Sequence, residues 1–159
     1  MYITYTPIGT IHTPFKTKEG MPIQSSGANG VQGTVILNEE FAEGLADLEG
    51  FSHIYLIYHF HQSKSYTLKT KPFLDDTPHG VFATRAPQRP NAIGISIVKL
   101  VGFEGNRLTV ENVDILDGTP LLDIKPYIPD FDRQENCETG WIADKTGDFR
   151  SKKSDDRFN

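Results

Sequence analysis

The sequence predicts an all-β fold: a single antiparallel β-barrel of six to seven strands, with one short helix and an extended C-terminal tail. Short segments rich in β-branched and aromatic residues follow one another along most of the chain. Turn residues separate most of them, for example Glu104–Asn106 and Asp117–Pro120. Only one segment has helical spacing. Because closure removes unpaired edge strands, a barrel or closed sheet is the expected arrangement.

Seven segments are predicted as strands because each is short and dominated by residues that favour a pleated, half-buried backbone. No internal repeat or low-complexity tract interrupts the series. In chain order the segments are Ile3–Ile11, Val31–Leu37, Phe51–Phe60, Gly80–Thr84, Ile93–Val101, Arg107–Leu116 and Leu121–Ile124.

The single predicted helix spans Asn38–Leu48. Asn38 is a candidate N-cap, and the two glutamates that follow it favour the first turn of a helix. Phe41, Leu45 and Leu48 recur at helical spacing, which predicts one apolar face.

The chain divides into a barrel domain, residues 1–129, and a polar tail, residues 130–159. Aromatic and aliphatic residues become sparse after Asp130 and charged residues become frequent. Trp141 and Ile142 are the strongest apolar anchors in the tail. We expect this tail to pack against a neighbouring subunit, with its last residues frayed.

Length and composition indicate one globular domain. A chain of 159 residues can bury a core without support from disulfides or metals. The N-terminus does not read as a signal peptide, and the longest apolar run, Ile54–Phe60, is too short to cross a bilayer. No membrane partner is therefore expected. The lone cysteine, Cys137, excludes an intramolecular disulfide and fits a reducing cytoplasm.

Charge is distributed unevenly along the chain. The net charge of −5 argues at first against a nucleic-acid partner. Between His61 and Leu100, however, six lysines and arginines face two aspartates, a local balance of +4. A local positive field can steer a polyanion even on an acidic protein, although a solvated surface would show the same pattern. Charge alone leaves a nucleic-acid partner open.

Two motifs that often bind cofactors or metals are present only in part. Gly27, Gly30 and Gly33 lead into a strand, whereas the dinucleotide-binding fingerprint has a different spacing and opens a helix. His59 and His61 alternate onto one face of a strand, but no third ligand of matching type is evident. We therefore predict no metal, and we assign hydrogen bonding at the strand end to His61 and its neighbour Gln62.

A stiff cationic loop precedes the fifth predicted strand. Arg85 and Arg89 are four residues apart, and Pro87 and Pro90 restrict the backbone between and after them. Guanidinium groups held in this way bind carboxylates and phosphates in a bidentate geometry. Pairing with nearby acidic residues would explain one arginine more readily than two. The loop is therefore predicted to bind an anionic or polarised group.

A row of unlike polar side chains follows the Asp117–Gly118 turn. Asp123, Lys125 and Tyr127 alternate along an extended segment and should share one face. Such a row suits the orientation of a small polar substrate and the transfer of one proton.

Four motifs, taken in order, resemble the TrmO (TsaA/YaeB-like) family in its short form. The resemblance extends over roughly Ile8 to Pro129, and only the tail lies outside it. Where the family motif often has arginine, this chain has Ile23. The motifs are PFKTKEGMPIQ at Pro14–Gln24, FHQ at Phe60–Gln62, GVFATR…RPNAIGIS at Gly80–Ser96 and LDGTPLLDIKPYIP at Leu116–Pro129.

The resemblance implies a methyltransferase that uses S-adenosylmethionine and is built on a β-barrel. It implies a homodimer with the cofactor near the subunit interface. It also implies that the substrate is threonylcarbamoyl-adenosine beside the anticodon of certain tRNAs, in the anticodon stem-loop. The exocyclic amine of that base would receive the methyl group.

The same resemblance assigns roles to individual residues. Asp123, Lys125 and Tyr127 would serve the methyl acceptor as catalytic residues. Independently of the motifs, the positive charge of this region predicts that Arg89, Asn91, Lys64, Lys69 and Lys71 contact the substrate or the RNA backbone. The cofactor would contact Pro22, Ile23, Gln24, His61, Gln62, Arg85, Ile95, Ile115, Leu116, Asp117 and Gly118.

Three other functions are compatible with parts of the sequence. A methyltransferase of the same type acting on another nucleobase or a small metabolite fits the acidic net charge and Ile23. A non-catalytic module that binds S-adenosylmethionine would not require Asp123, Lys125 and Tyr127. A general RNA-binding barrel would need exposed aromatic residues interleaved with bases, and only two aromatic residues lie among the lysines of the basic region.

Overall fold

Six antiparallel strands close into a barrel in the computed structural model, which describes residues 1–145 and 152–158. Neighbouring strands around the barrel follow the order β1-β2-β7-β6-β3-β8. The predicted all-β fold with a closed antiparallel barrel is confirmed. The barrel strands are β1 Gly9–His12, β2 Gln32–Leu37, β3 His53–His59, β6 Ile93–Glu104, β7 Arg107–Glu111 and β8 Thr119–Pro126.

The remaining elements are short. β4 (Lys69–Thr70) and β5 (His79–Gly80) form a separate two-stranded hairpin, and α1 is a single turn, Pro129–Asp132. Within the described residues, no helix is long and apolar enough to cross a bilayer. In the part of the chain that the structure describes, five 3₁₀ turns connect these elements, at Ser25–Gly27, Glu39–Leu45, Leu48–Gly50, Val81–Ala83 and Gly140–Ile142.

Alternation along the strands directs one set of side chains into the barrel. Ile54 and Leu56 on β3, Val98 on β6 and Leu108 and Val110 on β7 are fully buried. Each buried aliphatic side chain stabilises the fold by about 1.5–3 kcal/mol relative to an exposed one. The intervening positions on β6 face outward, and several of these are isoleucines.

Three predicted strands differ clearly from the structure. The segment Arg107–Leu116 is a strand only as far as Glu111, because Asn112 has a φ of 65°, in the left-handed region. The segment Ile3–Ile11 is a strand only from Gly9 onward, because the strands that flank β1 begin to pair with it at Gly9. The residues before Gly9 have no sheet partner in the described chain, and Tyr2 and Ile3 are exposed. In the segment Gly80–Thr84 the strand ends at Gly80 and a 3₁₀ turn follows.

The helix predicted at Asn38–Leu48 is not an α-helix. Residues Glu39–Leu45 form a 3₁₀ helix, and a second 3₁₀ turn begins at Leu48. Asp47, between them, has a φ of 66°, in the left-handed region, which interrupts any continuous helix. Leu45 still packs into the core, and Phe41 and Leu48 pack against it, so the apolar spacing was a correct signal of burial.

A bulge directs part of β8 outward. The pairing of β3 with β8 shifts register between Ile57 and Tyr58, which pair with Asp123 and Leu121 respectively. The extra residue, Leu122, lies in the bulge. Leu121 therefore faces the core while Asp123 faces the outside of the barrel next to Ile57.

Close packing at the start of β6 requires a glycine. A Cβ atom on Gly94 would lie 2.3 Å from Cε2 of Tyr58 and 2.9 Å from Cζ of Phe60. Both rings pack edge to face, with centroids 5.5 Å apart. Any side chain at position 94 would displace these aromatic rings from the end of the barrel.

The described part of the tail packs on its own chain. The indole Nε1 of Trp141 donates a hydrogen bond to the Ala83 carbonyl at 2.8 Å, and the ring stacks on His79. Residues 152–158 return to the loop before β2, where the Ser154 backbone bonds to Gly20 and Met21. Packing of the tail on a second subunit remains a prediction, and its residues 146–151 and 159 lie outside the described chain.

Candidate functional site

A cavity of 290 Å³ opens at one end of the barrel. The end of β3 and the beginnings of β6 and β8 meet there, because β3 is antiparallel to both. The loop that precedes β2, the loop that precedes β6 and the C-terminal segment close the sides. Among the residues predicted to contact a cofactor, those lining the cavity are Pro22, Ile23, Gln24, His61, Gln62, Arg85, Ile95, Ile115 and Leu116.

Arg85 links two of the predicted motifs. Its Nη1 donates a hydrogen bond of 2.7 Å to Oε1 of Gln24, across 61 positions of sequence. This contact lies between the first cavity and an adjoining one of 720 Å³, and Arg85 and Gln24 line both. Phe82 and Trp141 line the second cavity. Arg85 is otherwise exposed, so its remaining N–H groups can reach an anionic ligand.

The Arg89 side chain forms its hydrogen bonds mainly with the backbone of its own loop. Its Nη1 donates to the carbonyl oxygens of Val81, Thr84 and Ala86, at 3.1, 2.8 and 3.3 Å. The side chain lines the cavity but also fixes the backbone that presents Arg85. The two arginines thus have different surroundings, and a contact of Arg89 with substrate or RNA remains a prediction.

A half-buried carboxylate, Asp114, lies in the cavity wall. The Ser96 hydroxyl donates to Oδ1 of Asp114 at 2.6 Å, and the Tyr58 hydroxyl lies 3.0 Å from Ser96 Oγ. Burial raises the pKa of Asp114 to about 6, although the Ser96 hydrogen bond and the charge of Arg85 oppose that rise. Burial likewise raises the pKa of the Tyr58 phenol.

The two histidines near the end of β3, His59 and His61, do not lie on the same face. His59 is the last residue of the strand, and its Nδ1 lies 3.1 Å from the Ala92 carbonyl oxygen outside the cavity. The chain turns after Phe60, so His61 enters the cavity wall, 3.4 Å from the Thr119 hydroxyl. Partial burial, followed by the charges of His59 and Lys18, lowers the pKa of His61. Strand alternation therefore gave the wrong relation between His59 and His61.

Asp117 and Gly118 lie outside the cavity lining. Asp117 accepts hydrogen bonds from the Thr13 backbone N–H at 2.9 Å and from Lys16 Nζ at 2.5 Å. The Lys16 and Thr13 hydrogen bonds lower the pKa of Asp117. Gly118 has a φ of 76° and bonds to the Ile11 carbonyl. In this structure the turn anchors the loop that leads to Pro22, and the cofactor contact predicted for it is not seen in the cavity wall.

The predicted acceptor residues form a second cluster on the outer face of the barrel. Lys125 Nζ lies 3.0 Å from Oδ2 of Asp123, with side chains 61% and 47% exposed. The Tyr127 ring packs edge to face on Tyr55, with a centroid separation of 5.7 Å. None of the three acceptor residues lines the cavity of the same chain.

The remaining predicted contact residues are exposed. Lys64, Lys69, Lys71 and Asn91 all lie outside the cavity lining. Lys69 belongs to the small hairpin and Lys71 follows it directly. The contact of these residues with RNA remains a prediction.

Several cavity residues were not identified from the sequence. Asp114 had a detectable signal, since it is a lone acid between Val113 and Ile115 in an otherwise apolar run. Ser154, Asp155 and Phe158 had none, because they reach the cavity only through folding of the C-terminal segment. Within the described residues, no group of three or more His, Cys, Asp or Glu side chains could hold a metal ion.

The cavity combines features suited to one class of ligand. Aromatic and aliphatic walls, including Phe60 and Ile95, can hold a planar heterocycle, while amide groups of Gln24 and Gln62 can bind its polar edge. Arg85 can bind a carboxylate and Asp114 a cation or a hydrogen-bond donor. These groups suit a nucleoside that carries a zwitterionic amino-acid group.

Comparison with known proteins gives consistent results. Residues 10–133 match the family described as the tRNA-methyltransferase O N-terminal domain. The chain is 54% identical over 158 residues to a probable S-adenosyl-L-methionine-binding protein from Pyrococcus abyssi, covering 99% of this chain and 86% of that protein. It is 39% identical over 137 residues to a tRNA (adenine(37)-N6)-methyltransferase from Mus musculus, covering 82% of this chain.

Solved structures show the same fold. The crystal structure of TrmO from Pseudomonas aeruginosa superimposes with a TM-score of 0.75 at 41% identity, over 89% of this chain and 63% of that one. The chain spans only 32% of the mouse protein. The mouse and Pseudomonas proteins therefore contain long regions outside the match, whereas the Pyrococcus protein is matched over most of its length.

Proposed function

The chain belongs to the TrmO family, and from this premise we propose that it methylates N6 of threonylcarbamoyl-adenosine next to the anticodon of tRNA. Membership of this family makes the chain a methyltransferase that uses S-adenosylmethionine. The tRNA substrate is the finer part of the proposal, supported by the mammalian relative named as a tRNA (adenine(37)-N6)-methyltransferase. A cytoplasmic location is proposed with it.

The donor set of the cavity fits S-adenosylmethionine. Arg85 would bind the carboxylate of its methionine group, Gln24 and Gln62 the polar groups of its adenosine, and Phe60 and Ile95 the adenine ring. When bound, the cofactor supplies a methyl group already activated on a sulfonium. The protein therefore has chiefly to align donor and acceptor.

The outer cluster suits the proton transfer that accompanies methylation. The acceptor nitrogen is a poor nucleophile, because its lone pair is delocalised into the adenine ring. As the N–CH₃ bond forms and the S–CH₃ bond breaks, the nitrogen loses its proton. Asp123 is proposed to accept that proton, Lys125 to bind a substrate carboxylate or phosphate, and Tyr127 to stack on the base.

A homodimer would bring the cavity of one chain next to the acceptor residues on the outer face of the other. Asp123 pairs with Ile57 on β3, which pairs with Ile95 on β6, so Asp123 is two strands away from the cavity rim. A two-fold axis along β3 places β8 of one copy over β6 of the other. Asp123 of one copy would then face the cavity rim of the partner.

The outer face of the barrel has the apolar character that such an interface needs. Ile93, Ile95 and Ile97 on β6 are 41%, 52% and 37% exposed. Ile97 and Ile95 pair with Tyr55 and Ile57 on β3, so the apolar surface is continuous between these strands. An exposed apolar sheet face beside a ligand cavity is typical of a subunit interface.

Replacing Ile97 with aspartate is expected to convert the dimer to a monomer. A carboxylate in the centre of an apolar interface would be buried without a partner, which costs several kcal/mol. Sedimentation velocity should show the wild type as a dimer and I97D as a monomer with unchanged circular dichroism. Val101→Asp is the matched control and should remain dimeric, because Val101 lies beyond Lys99, where the pairing of β6 with β3 ends. A wild-type chain that is monomeric at micromolar concentration would contradict the dimer.

The proposed function is tested by transfer of labelled methyl from S-adenosylmethionine to total tRNA. One tRNA pool carries the threonylcarbamoyl modification, and a matched pool from cells unable to make it does not. Label in the modified pool alone supports the proposal. Label in both pools would indicate another nucleobase, and cofactor binding without label in either would exclude tRNA and favour a small metabolite.

A further inference from the structure

Asp114 is a carboxylate in the cavity wall that has no role in the proposed methyl transfer. It precedes Ile115 in the segment that leads to β8, and its side chain is half-buried. Its hydrogen-bond donors are the Ser96 hydroxyl at 2.6 Å and, more weakly, the backbone N–H groups of Asp114 itself and of Ser25. These donors are neutral. Arg85 acts on Asp114 through its charge, but the two side chains form no direct ion pair. A partly buried carboxylate that is hydrogen-bonded only by neutral donors is stabilised by a cation bound beside it.

The other charged groups in the cavity wall have partners within the described chain. Asp155 forms a bidentate pair with Arg157, with N–O distances of 2.7–3.0 Å. Lys18 donates to the Phe158 carbonyl at 3.0 Å, and Arg85 donates to Gln24. Among the described lining residues, Asp114 is thus the carboxylate without a directly bonded cation.

We propose that Asp114 is a specificity-determining residue that favours the positively charged sulfonium cofactor over the neutral thioether that remains after methyl transfer. The inference rests on the proposed use of S-adenosylmethionine. The cofactor and its product S-adenosylhomocysteine share one skeleton and differ by a methyl group and one unit of positive charge. A fixed negative charge in a partly desolvated cavity therefore distinguishes them by electrostatic attraction.

This charge selection has a consequence for turnover. A site that contacts only the shared adenosyl and amino-acid groups would bind S-adenosylmethionine and S-adenosylhomocysteine equally well. With Asp114 ionised, loss of the sulfonium charge weakens binding at the moment of transfer, which promotes exchange of product for fresh cofactor. Asp114 need not touch the methyl group to have this effect, because the attraction between charges extends over several ångströms.

The charge on Asp114 depends on pH in the neutral range. Burial raises its pKa to about 6, so the side chain is ionised at pH 8 and largely protonated at pH 5. The groups that face it are Tyr58 from β3, Ser96 from β6 and Arg85 from the loop before β6. His61 also lines the cavity with a lowered pKa, and its protonation in acid would oppose a cation as well. A variant that lacks only the Asp114 charge separates these two contributions.

The test measures the ratio of the dissociation constants of S-adenosylhomocysteine and S-adenosylmethionine by isothermal titration calorimetry. At pH 8 the wild type should favour the cofactor by about tenfold, and D114N should remove most of that preference. Glu104→Gln, a carboxylate removed at the far end of β6, should leave the ratio unchanged. A ratio that D114N does not alter would overturn the inference while leaving the proposed function intact. Failure of the wild type to bind either compound would contradict the proposed function and this inference together.

The pH profile of the same ratio gives a second test that does not depend on folding of D114N. In the wild type the preference for the cofactor should fall by about tenfold between pH 8 and pH 5. Ser96→Ala removes the hydroxyl that stabilises the ionised carboxylate, so the midpoint of this fall should move to higher pH. A wild-type ratio that is constant from pH 5 to pH 8, or a midpoint unmoved in S96A, would contradict the role of Asp114.

Discussion

Replacing Asp123 with alanine is expected to lower the rate of methyl transfer to modified tRNA by about 10²–10⁴-fold, the usual contribution of a general base. The affinity for S-adenosylmethionine should stay within about twofold of the wild type, since Asp123 is outside the cavity lining of its own chain. Single-turnover rates with labelled cofactor and calorimetric cofactor binding measure the two quantities separately.

The control for this prediction is a carboxylate nearby that has no proposed role. Asp130→Ala, in the short helix α1, removes an exposed acid and should leave turnover unchanged. Asp123→Asn should be nearly as slow as D123A, because an amide can orient the substrate but cannot accept the proton. Turnover of D123N close to that of the wild type would mean that Asp123 orients the base without receiving its proton.

Replacing Arg85 with alanine is expected to weaken cofactor binding by about 10–100-fold, the range for loss of a charge-assisted hydrogen bond. The loss includes the contact with Gln24, so the two walls of the cavity are no longer linked. Arg85→Lys should recover only part of the affinity, because an ammonium cannot form the bidentate contact. Calorimetry with S-adenosylmethionine provides the measurement.

The matched control for Arg85 is an arginine elsewhere on the barrel surface. Arg107→Ala, at the start of β7, lies outside both cavities and should bind the cofactor normally. Arg85→Ala with unchanged affinity would show that the carboxylate of the cofactor is bound elsewhere. It would also leave the Arg85 contact with Gln24 as a purely structural feature of the loop.

Mixing the two variants tests how their residues combine. In a dimer whose site uses Arg85 from one chain and Asp123 from the other, a heterodimer of R85A and D123A contains one intact site. Random exchange of subunits should restore about a quarter of wild-type activity at low cofactor concentration. No recovery after exchange would mean that both residues act within one chain.

Much of the fold could be predicted from local patterns. The barrel strands were recognisable because alternation of apolar residues reports which side of a strand is buried. The predictions were wrong where the composition of a segment favoured one element but the folded chain did not support that element. Ile3–Ile8 has the composition of a strand but no neighbouring strand in the described chain, and Asn38–Leu48 has helical spacing but adopts 3₁₀ turns around Asp47.

The chain by itself determined which chemical groups are available and which of them are rigid. The loop in which Pro87 and Pro90 follow Arg85, the run from Asp123 to Tyr127, and the family motifs are all local properties of consecutive residues. Only the tertiary structure decided which of these groups meet. Closure of the barrel brings Gln24 to Arg85, and the bulge in β8 turns Asp123 away from the cavity. These contacts join residues far apart in sequence, and they depend on strand register, which is set by packing of the whole barrel and not by any one segment.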